Sequence, residues 1–151
     1  MKKTMILMLC VFTLLGCEKD KEPEEQYYTE KQQKALEILK GRFIDTQFVT
    51  GKDTIIFNEQ FKKPLEFKDW SGEVKHRAIG TLTYISSFAY LIGKKEYYYI
   101  IGHEAEELIL LHRGGNKDGE PAKYYDMQIK NNTEFWLYDP NITLPYKFVK
   151  K

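Results

Sequence analysis

The stretch from His103 to Glu107, HEAEE, holds the residue types that bind zinc or transfer protons. A helical zinc motif of this kind needs a second histidine at the fifth position, where this chain has Glu107. The apolar run that follows, residues 108–111, is typical of a strand, and a strand does not place residues four apart on one face. His103 and His112 would have to meet around a turn. We therefore predict no metal site.

Nucleophilic catalysis also has few candidates. The serines Ser71, Ser86 and Ser87 lie outside any Gly-x-Ser-x-Gly arrangement, and no glycine-rich loop has the spacing that holds phosphate. The acidic residues fall in turns or on the polar side of alternating runs, which indicates solvated positions. His76 shares its parity with apolar neighbours and is predicted to be a hydrogen-bonded histidine of the core or lumen. We expect no enzymatic activity and no cofactor.

The charge balance excludes another class of function. The chain has 151 residues, 23 of them basic and 22 acidic, and the segment before Cys17 contains two of the basic residues and none of the acidic ones. Residues 17–151 therefore carry a net charge of −1, without the positive bias of a nucleic-acid-binding protein. Their length predicts one domain.

The first 17 residues have the pattern of a leader. Two lysines at positions 2 and 3 precede Met5–Leu15, eleven residues without a charge. A helix that crosses a bilayer needs ~20 apolar residues, so this run is too short to be one. A basic segment followed by an apolar run of this length is typical of a signal peptide. The tetrad Leu14-Leu15-Gly16-Cys17 stands at its end.

That tetrad resembles the lipobox of bacterial lipoproteins. The resemblance implies that residues 1–16 are a signal peptide, that cleavage occurs between Gly16 and Cys17, and that Cys17 carries a diacylglyceryl group and an acylated amine. The alternative is an ordinary leader with a chance cysteine. Residues 17–28 are predicted to be a flexible acidic tether, because the segment 18–25 holds five acids and two lysines. Glu18 after the cysteine favours the outer membrane; the face of that membrane stays open.

The rest of the chain changes from helical to strand periodicity at Gly41. Thr29 and Gln32 form a capping-box pattern that predicts one short helix, about Glu30 to Lys40. Beyond it, apolar and polar residues alternate with period two between turn signals. The strands are predicted at 42–50, 53–58, 64–68, 74–86, 96–101, 106–112, 122–130 and 133–138, with a closing run at 143–149. The sequence thus predicts a mainly β fold, an antiparallel up-and-down meander that closes into a small barrel.

A short helix, then Gly41-Arg42-Phe43, then a meander that ends in an aromatic and basic strand resembles the lipocalin-like domains of small bacterial lipoproteins. The lipocalin motif is Gly-x-Trp, and Phe43 replaces the tryptophan here. The resemblance implies a barrel domain over residues 29–151, whose closed end is marked by Gly41 and Phe43 beside a basic residue, Lys147 or Lys150.

Two binding roles follow from this prediction. The barrel either carries a small apolar ligand, or it is filled by its own side chains and serves as an interaction or inhibitor module for an envelope protein. The predicted lumen or core residues are mostly bulky and favour the filled barrel: Leu82, Tyr84, Leu108, Leu110, Tyr125, Met127, Ile129, Tyr146 and Phe148. Recognition would then be carried by loops and by an outward aromatic patch of Tyr98, Trp136 and Tyr138.

The lipid anchor is tested at its attachment atom. Cells expressing the Cys17→Ser chain in the presence of labelled fatty acid should yield unlabelled protein, because the acceptor sulfur is gone. Cys10→Ser is the matched control and should be labelled like the unchanged chain. Label on the Cys17→Ser protein would contradict the assignment.

Overall fold

The computed structural model describes residues 26–48, 52–87, 93–114 and 121–151, which contain one helix and eight strands. Helix α1 spans Glu30–Ile38. The strands are β1 Gly41–Asp45, β2 Thr54–Lys68, β3 Val74–Ser86, β4 Gly93–Ile101, β5 Glu107–His112, β6 Pro121–Asn131, β7 Glu134–Tyr138 and β8 Tyr146–Lys150. Each strand pairs antiparallel with the next, and β8 pairs with β1, so the sheet closes into a barrel. The predicted fold, an up-and-down barrel after one short helix, is confirmed.

The interior of the barrel is filled by aromatic rings where the first and last strands meet. The rings of Phe43 and Phe135 pack edge to face with centroids 4.9 Å apart, and Phe135 stacks on Phe148 at 5.2 Å. Phe57 contacts both Phe43 and Phe135 and packs against Tyr99. Each such pair adds ~0.5–1.5 kcal/mol to the burial of the rings. The closed sheet is therefore held by a solid aromatic centre.

Helix α1 covers one end of the barrel, which we call the capped end. The predicted capping box is present, with Thr29 and Gln32 bonded reciprocally. The amide of Gln32 also donates to the Ile101 carbonyl at 2.8 Å, and the Thr29 hydroxyl donates to the His103 carbonyl at 2.8 Å. At the other terminus the Lys150 ammonium donates to the Ile38 carbonyl. A helix of three turns or fewer is marginal alone, so these bonds and its buried apolar face keep it folded.

Strands β2 and β3 continue beyond the barrel wall as a two-stranded ribbon. β1 pairs only with residues 54–57 of β2, and β4 pairs with β3 only from Gly80 onward. The ribbon, residues 58–79, is bulged at three places. Rings support it from the barrel side, since Phe67 and Phe61 contact Tyr98 at 5.2 and 6.5 Å.

The ribbon corrects part of the strand prediction. Segments 53–58 and 64–68 were expected as two strands, and the structure joins them in β2, with Pro64 in the irregular stretch between Gln60 and Leu65. Proline is tolerated there because the ladder is already interrupted. Across the ladder, a Cβ at Gly80 would lie 2.1 Å from the Glu59 carbonyl oxygen and 2.6 Å from the Tyr99 ring, so only glycine fits.

The described residues begin inside the predicted tether. The predicted signal peptide, residues 1–16, Cys17 and most of the predicted tether lie outside them. Tyr28, the last tether residue by prediction, is buried, and its hydroxyl donates to the Phe61 carbonyl at 2.6 Å. The closed sheet and its cap are complete within residues 28–150, so a chain that begins at Cys17 contains the whole fold. Within the described part, no helix has the length and apolarity needed to cross a membrane.

The parity of β6 can be tested by charge insertion. Met127 is 2% exposed and its neighbour Gln128 is exposed. Met127→Asp should lower the free energy of unfolding by at least ~3 kcal/mol, because it buries an unpaired carboxylate. Gln128→Asp, the matched control, should stay within ~0.5 kcal/mol in urea denaturation. Equal tolerance at both positions would contradict the assigned face.

Candidate functional site

The end of the barrel opposite the helix is lined by polar groups, and we call it the mouth. Strands β1, β3, β5 and β7 end there, and β2, β4, β6 and β8 begin there. Five inward residues form what we call the mouth cluster: Asp45, Asp53, Tyr84, Tyr125 and Tyr146. They lie directly beyond the aromatic centre, so the polar layer begins where the apolar filling ends.

Two aspartates are buried at the mouth. Asp45 is 0% exposed and Asp53 is 9% exposed, and the backbone N–H of Asp45 donates to the Asp53 carbonyl at 2.8 Å. One oxygen of Asp45, Oδ1, accepts from the N–H groups of Gln47 and Lys147, both at 3.0 Å. Asp53 accepts from the Tyr84 hydroxyl and, at 3.1 Å, from the Ser87 N–H. The two carboxylates are thus oriented by the chain around them.

The mouth cluster also contains three tyrosines, Tyr84, Tyr125 and Tyr146. Burial raises the pKa of Tyr84 far above its ordinary value of 10, and the neighbouring Tyr125 and the hydrogen bond to Asp53 raise it further. Burial is also the main cause of the raised pKa values of Tyr125 and Tyr146, with smaller effects from nearby carboxylates. All three hydroxyls are therefore protonated at neutral pH and able to donate hydrogen bonds.

A lysine completes the mouth. The Lys123 ammonium lies 4.7 Å from the centroid of the Tyr84 ring, a cation–π contact. Desolvation lowers its pKa, while the charges of Asp53 and Asp139 act in the opposite direction. The mouth therefore offers one cationic donor among carboxylate acceptors, and Lys123 balances part of their negative charge.

Two polar atoms at the mouth have no hydrogen-bond partner. In the part of the chain that the structure describes, these are the only buried side-chain oxygens or nitrogens in that condition: Asp45 Oδ2 and Ser87 Oγ. Both residues bond to Asp53 through their N–H groups. Leaving a buried polar atom unpaired costs stability, so both atoms would gain from a hydrogen-bond partner, and a guest would reach them only if the chain around them moved. Carboxylates, hydroxyls and ring faces together suit a small hydroxylated molecule.

The sequence predictions placed three members of this cluster, Tyr84, Tyr125 and Tyr146, in the lumen or core and missed its two aspartates. Acidic residues were expected in solvent, and that was wrong for Asp45 and Asp53. Strand alternation could have revealed them. Asp45 is two positions after buried Phe43, and Asp53 is two positions before buried Ile55, so each aspartate is on the same face as an apolar core residue. A carboxylate in phase with apolar neighbours at a strand end points into a barrel.

The predicted lumen or core residues lie along the inner wall. Ile129 and Tyr146 are partly buried and pack against the core. The other seven are buried, and six of them extend from the aromatic centre to the mouth: Leu82, Tyr84, Leu108, Leu110, Tyr125 and Met127. Phe148 belongs to the aromatic centre and is also fully buried. These side chains leave no long apolar channel along the part of the lumen that they line.

Gly41 and Phe43 lie at the capped end. The Lys150 ammonium is 5.6 Å from the Phe43 ring centroid, so Lys150 is the basic residue beside the aromatic one. Gly41 has φ +103°, which favours glycine at the junction of helix and barrel. Lys147 lies elsewhere, 4.7 Å from the ring of Trp136.

The three outward aromatics do not form one patch. Trp136 and Tyr138 are neighbours on β7, with centroids 6.4 Å apart, whereas Tyr98 lies on β4 with the ribbon rings. The ammonium groups of Lys130 and Lys147 lie over the Trp136 ring, and its N–H donates to Glu134. A ligand that stacked on Trp136 would have to displace these lysines.

The histidines are separated. His103 is in the turn after β4, and His112 lies near the mouth, 6.3 Å from the Tyr97 ring by centroids. His76 is half-buried on the ribbon, in a cleft of about 390 Å³ outside the barrel, and not in the core or lumen as expected. The prediction failed because β3 joins the barrel wall only at Gly80, so His76 lies in the part of β3 that belongs to the ribbon. Over the described ranges, no three His, Cys, Asp or Glu side chains form a group that could hold a metal ion.

Comparison with known proteins adds no relative, since no family model, curated protein or solved structure matches the chain.

The buried tyrosines predict a characteristic alkaline response. Their folded-state pKa values are raised, so they contribute stability that is fully present below pH 10 and is lost as pH rises above it, where the unfolded chain ionises. Each such tyrosine should reduce the free energy of unfolding by ~1.4 kcal/mol per pH unit. Urea denaturation between pH 9 and pH 11.5 should therefore show a shallower decline for Tyr84→Phe than for the unchanged chain.

Tyr124→Phe is the control for this measurement, because Tyr124 is 53% exposed beside buried Tyr125. It should leave the slope against pH unchanged. An unaltered slope in Tyr84→Phe would show that the Tyr84 hydroxyl ionises in the folded protein.

Proposed function

We propose that this chain is a lipid-anchored, non-enzymatic binding protein of the bacterial cell envelope, and that it recognises a small hydroxylated, glycan-type ligand at the mouth. The single observation that carries the binding role is the distribution of polarity along the barrel axis. The middle is filled by rings, and the mouth concentrates oriented, buried polar groups, two of them without a partner.

The anchor in this proposal rests on the sequence from Lys2 to Cys17. A basic start, a short apolar run and Leu14-Leu15-Gly16-Cys17 favour acylation at Cys17. Attachment to the outer membrane is proposed from Glu18, the residue that follows the lipidated cysteine. Two or more acyl chains are needed for stable attachment, and the lipoprotein modification supplies them.

The filled interior argues against transport of a long apolar ligand. An eight-stranded barrel is just wide enough for side chains to fill it, and it holds a ligand only where small residues leave room. Here Phe43, Phe57, Phe135 and Phe148 occupy the centre, and Leu36 and Leu39 of the capping segment close the end behind them. A fatty acid would have to displace these rings.

The chemistry of the mouth favours hydroxyl groups on the ligand. The Tyr125 and Tyr146 hydroxyls and the Lys123 ammonium donate to the ligand, Asp45 Oδ2 accepts, and ring faces pack against C–H surfaces, while the Tyr84 hydroxyl stays bonded to Asp53. A site built to pair hydroxyls rejects analogues that lack them, since its own polar groups would then stay unpaired.

The test uses the chain from Cys17 onward, titrated first with a fluorescent fatty acid and then with hexoses and N-acetylhexosamines. Fatty acid should give no saturable binding at or below micromolar concentration, a threshold worth ~8 kcal/mol. One-to-one binding in that range would replace this proposal with the apolar carrier.

The sugars should shift NMR signals of mouth residues in the unchanged chain. Asp53→Asn should abolish the shifts, and Asp126→Asn, an exposed acid on the outer wall of β6, should preserve them. If no sugar shifts mouth signals, or if both variants retain the shifts, the mouth is not the binding site.

A further inference from the structure

Trp70 occupies an unusual position for a tryptophan. Its side chain is 98% exposed, whereas the next most exposed large hydrophobic residue in the described ranges, Tyr124, is 53% exposed. Tryptophan is normally largely buried, because its ring contributes more apolar area than any other side chain. The fold of this chain gains almost no contact from it.

The turn at the tip of the ribbon is built without the indole. Asp69 accepts from the Ser71 N–H at 2.8 Å, the Ser71 hydroxyl at 2.6 Å and the Glu73 N–H at 3.1 Å. The backbone of Asp69 and Glu73 closes the turn, and Gly72 takes φ +84°. The turn is therefore fixed by its polar residues, and the indole is displayed on an ordered backbone.

The base of the ribbon is where the tether joins the barrel. Tyr28 bonds to Phe61, and Tyr27 and Pro64 line the same cleft. Trp70 is six residues beyond Pro64, which is at most ~20 Å along a strand. Cys17 and Tyr27 are ten positions apart, which corresponds to at most ~35 Å of fully extended chain. The tether is thus long enough for the indole to reach the surface that holds the lipid.

The charges of the ribbon favour an anionic surface. The ribbon, residues 58–79, holds five basic and four acidic residues, a net charge of +1. Lys68, Lys75 and Arg77 are paired with acidic side chains of the ribbon, so its positive charge is concentrated at exposed Lys62 and Lys63. The tether before it is acidic, so this positive segment is local to the ribbon. Exposed basic groups are attracted to the anionic headgroups of a leaflet.

We propose that Trp70 inserts into the lipid–water interface of the membrane and fixes the orientation of the barrel on it. This inference rests on the lipid anchor of the proposed function. The residues around Trp70 favour a membrane rather than a protein as its binding partner. A protein hot spot is surrounded by contacts that exclude water, whereas Asp69, Ser71 and Glu73 around this indole are exposed or half-exposed polar groups. A single amphipathic ring among polar groups fits the headgroup level, where tryptophan is enriched.

The experiment anchors the protein chemically. The chain from Cys17 onward has one cysteine, and in the Trp136→Phe variant Trp70 is its one tryptophan. Cys17 is coupled to a maleimide lipid in vesicles of phosphatidylethanolamine and phosphatidylglycerol, and Trp70 emission is recorded. The emission should shift to shorter wavelength, brominated lipids should quench it, and acrylamide quenching should fall severalfold relative to the uncoupled chain.

The control variant is Trp70→Ala, which retains Trp136 on the barrel wall and should show none of these changes. Circular dichroism establishes that both variants are folded. Trp70 emission that stays as accessible to acrylamide on vesicles as in solution would overturn the inference, and burial of Trp70 only on addition of an envelope extract would assign it to a protein partner instead. Because maleimide coupling does not depend on acylation in cells, failure here is distinct from failure of the Cys17 labelling test.

Discussion

The pairing of β1 with β8 is the constraint on which the rest of the molecule depends. It joins residues more than 100 positions apart, Asp45 with Phe148 and Phe43 with Lys150. Closure leaves no free edge, but it obliges the inward side chains of eight strands to share one narrow interior. The packed rings of Phe43, Phe135 and Phe148 occupy that interior at the seam. Closing the sheet and burying these rings therefore depend on each other, because the rings would be exposed to solvent in an open sheet.

The filled centre divides the molecule into two ends with different chemistry. At the capped end, polar groups bond to the chain itself: Gln32 to Ile101, Thr29 to His103 and Lys150 to Ile38. At the mouth, carboxylates are buried and one oxygen of Asp45 lacks a partner. Apolar residues at these inward positions would be expected to give a more stable barrel. Stability alone therefore does not account for the mouth cluster, which is why we assign recognition to it.

Local patterns in the sequence were enough to predict the helix and the class of fold. Thr29 and Gln32 bond to each other, so their spacing alone predicts the start of the helix. Alternation over 122–130 identifies the buried face of that strand without knowledge of its partner strand. The ribbon was not predictable in this way, because Pro64 and the irregular alternation around it indicate the end of a strand, whereas β2 continues through them. Alternation was enough to place Tyr84, Tyr125 and Tyr146 of the mouth cluster in the lumen or core, whereas Asp45 and Asp53 resemble surface acids until the fold brings them together. Parity with Phe43 was the one local signal for Asp45.

The position of the tether gives the two ends different surroundings. Tyr27 and Tyr28 lie at the capped end, beside the helix start and the turn at His103. A chain anchored through Cys17 and Trp70 would hold this end nearer the bilayer and leave the mouth remote from it. An apolar ligand taken from the membrane would then meet the helix first, whereas a soluble hydroxylated ligand would approach the mouth from the aqueous side. The filled centre, the polar mouth and the side of tether entry therefore favour the same kind of ligand for independent physical reasons.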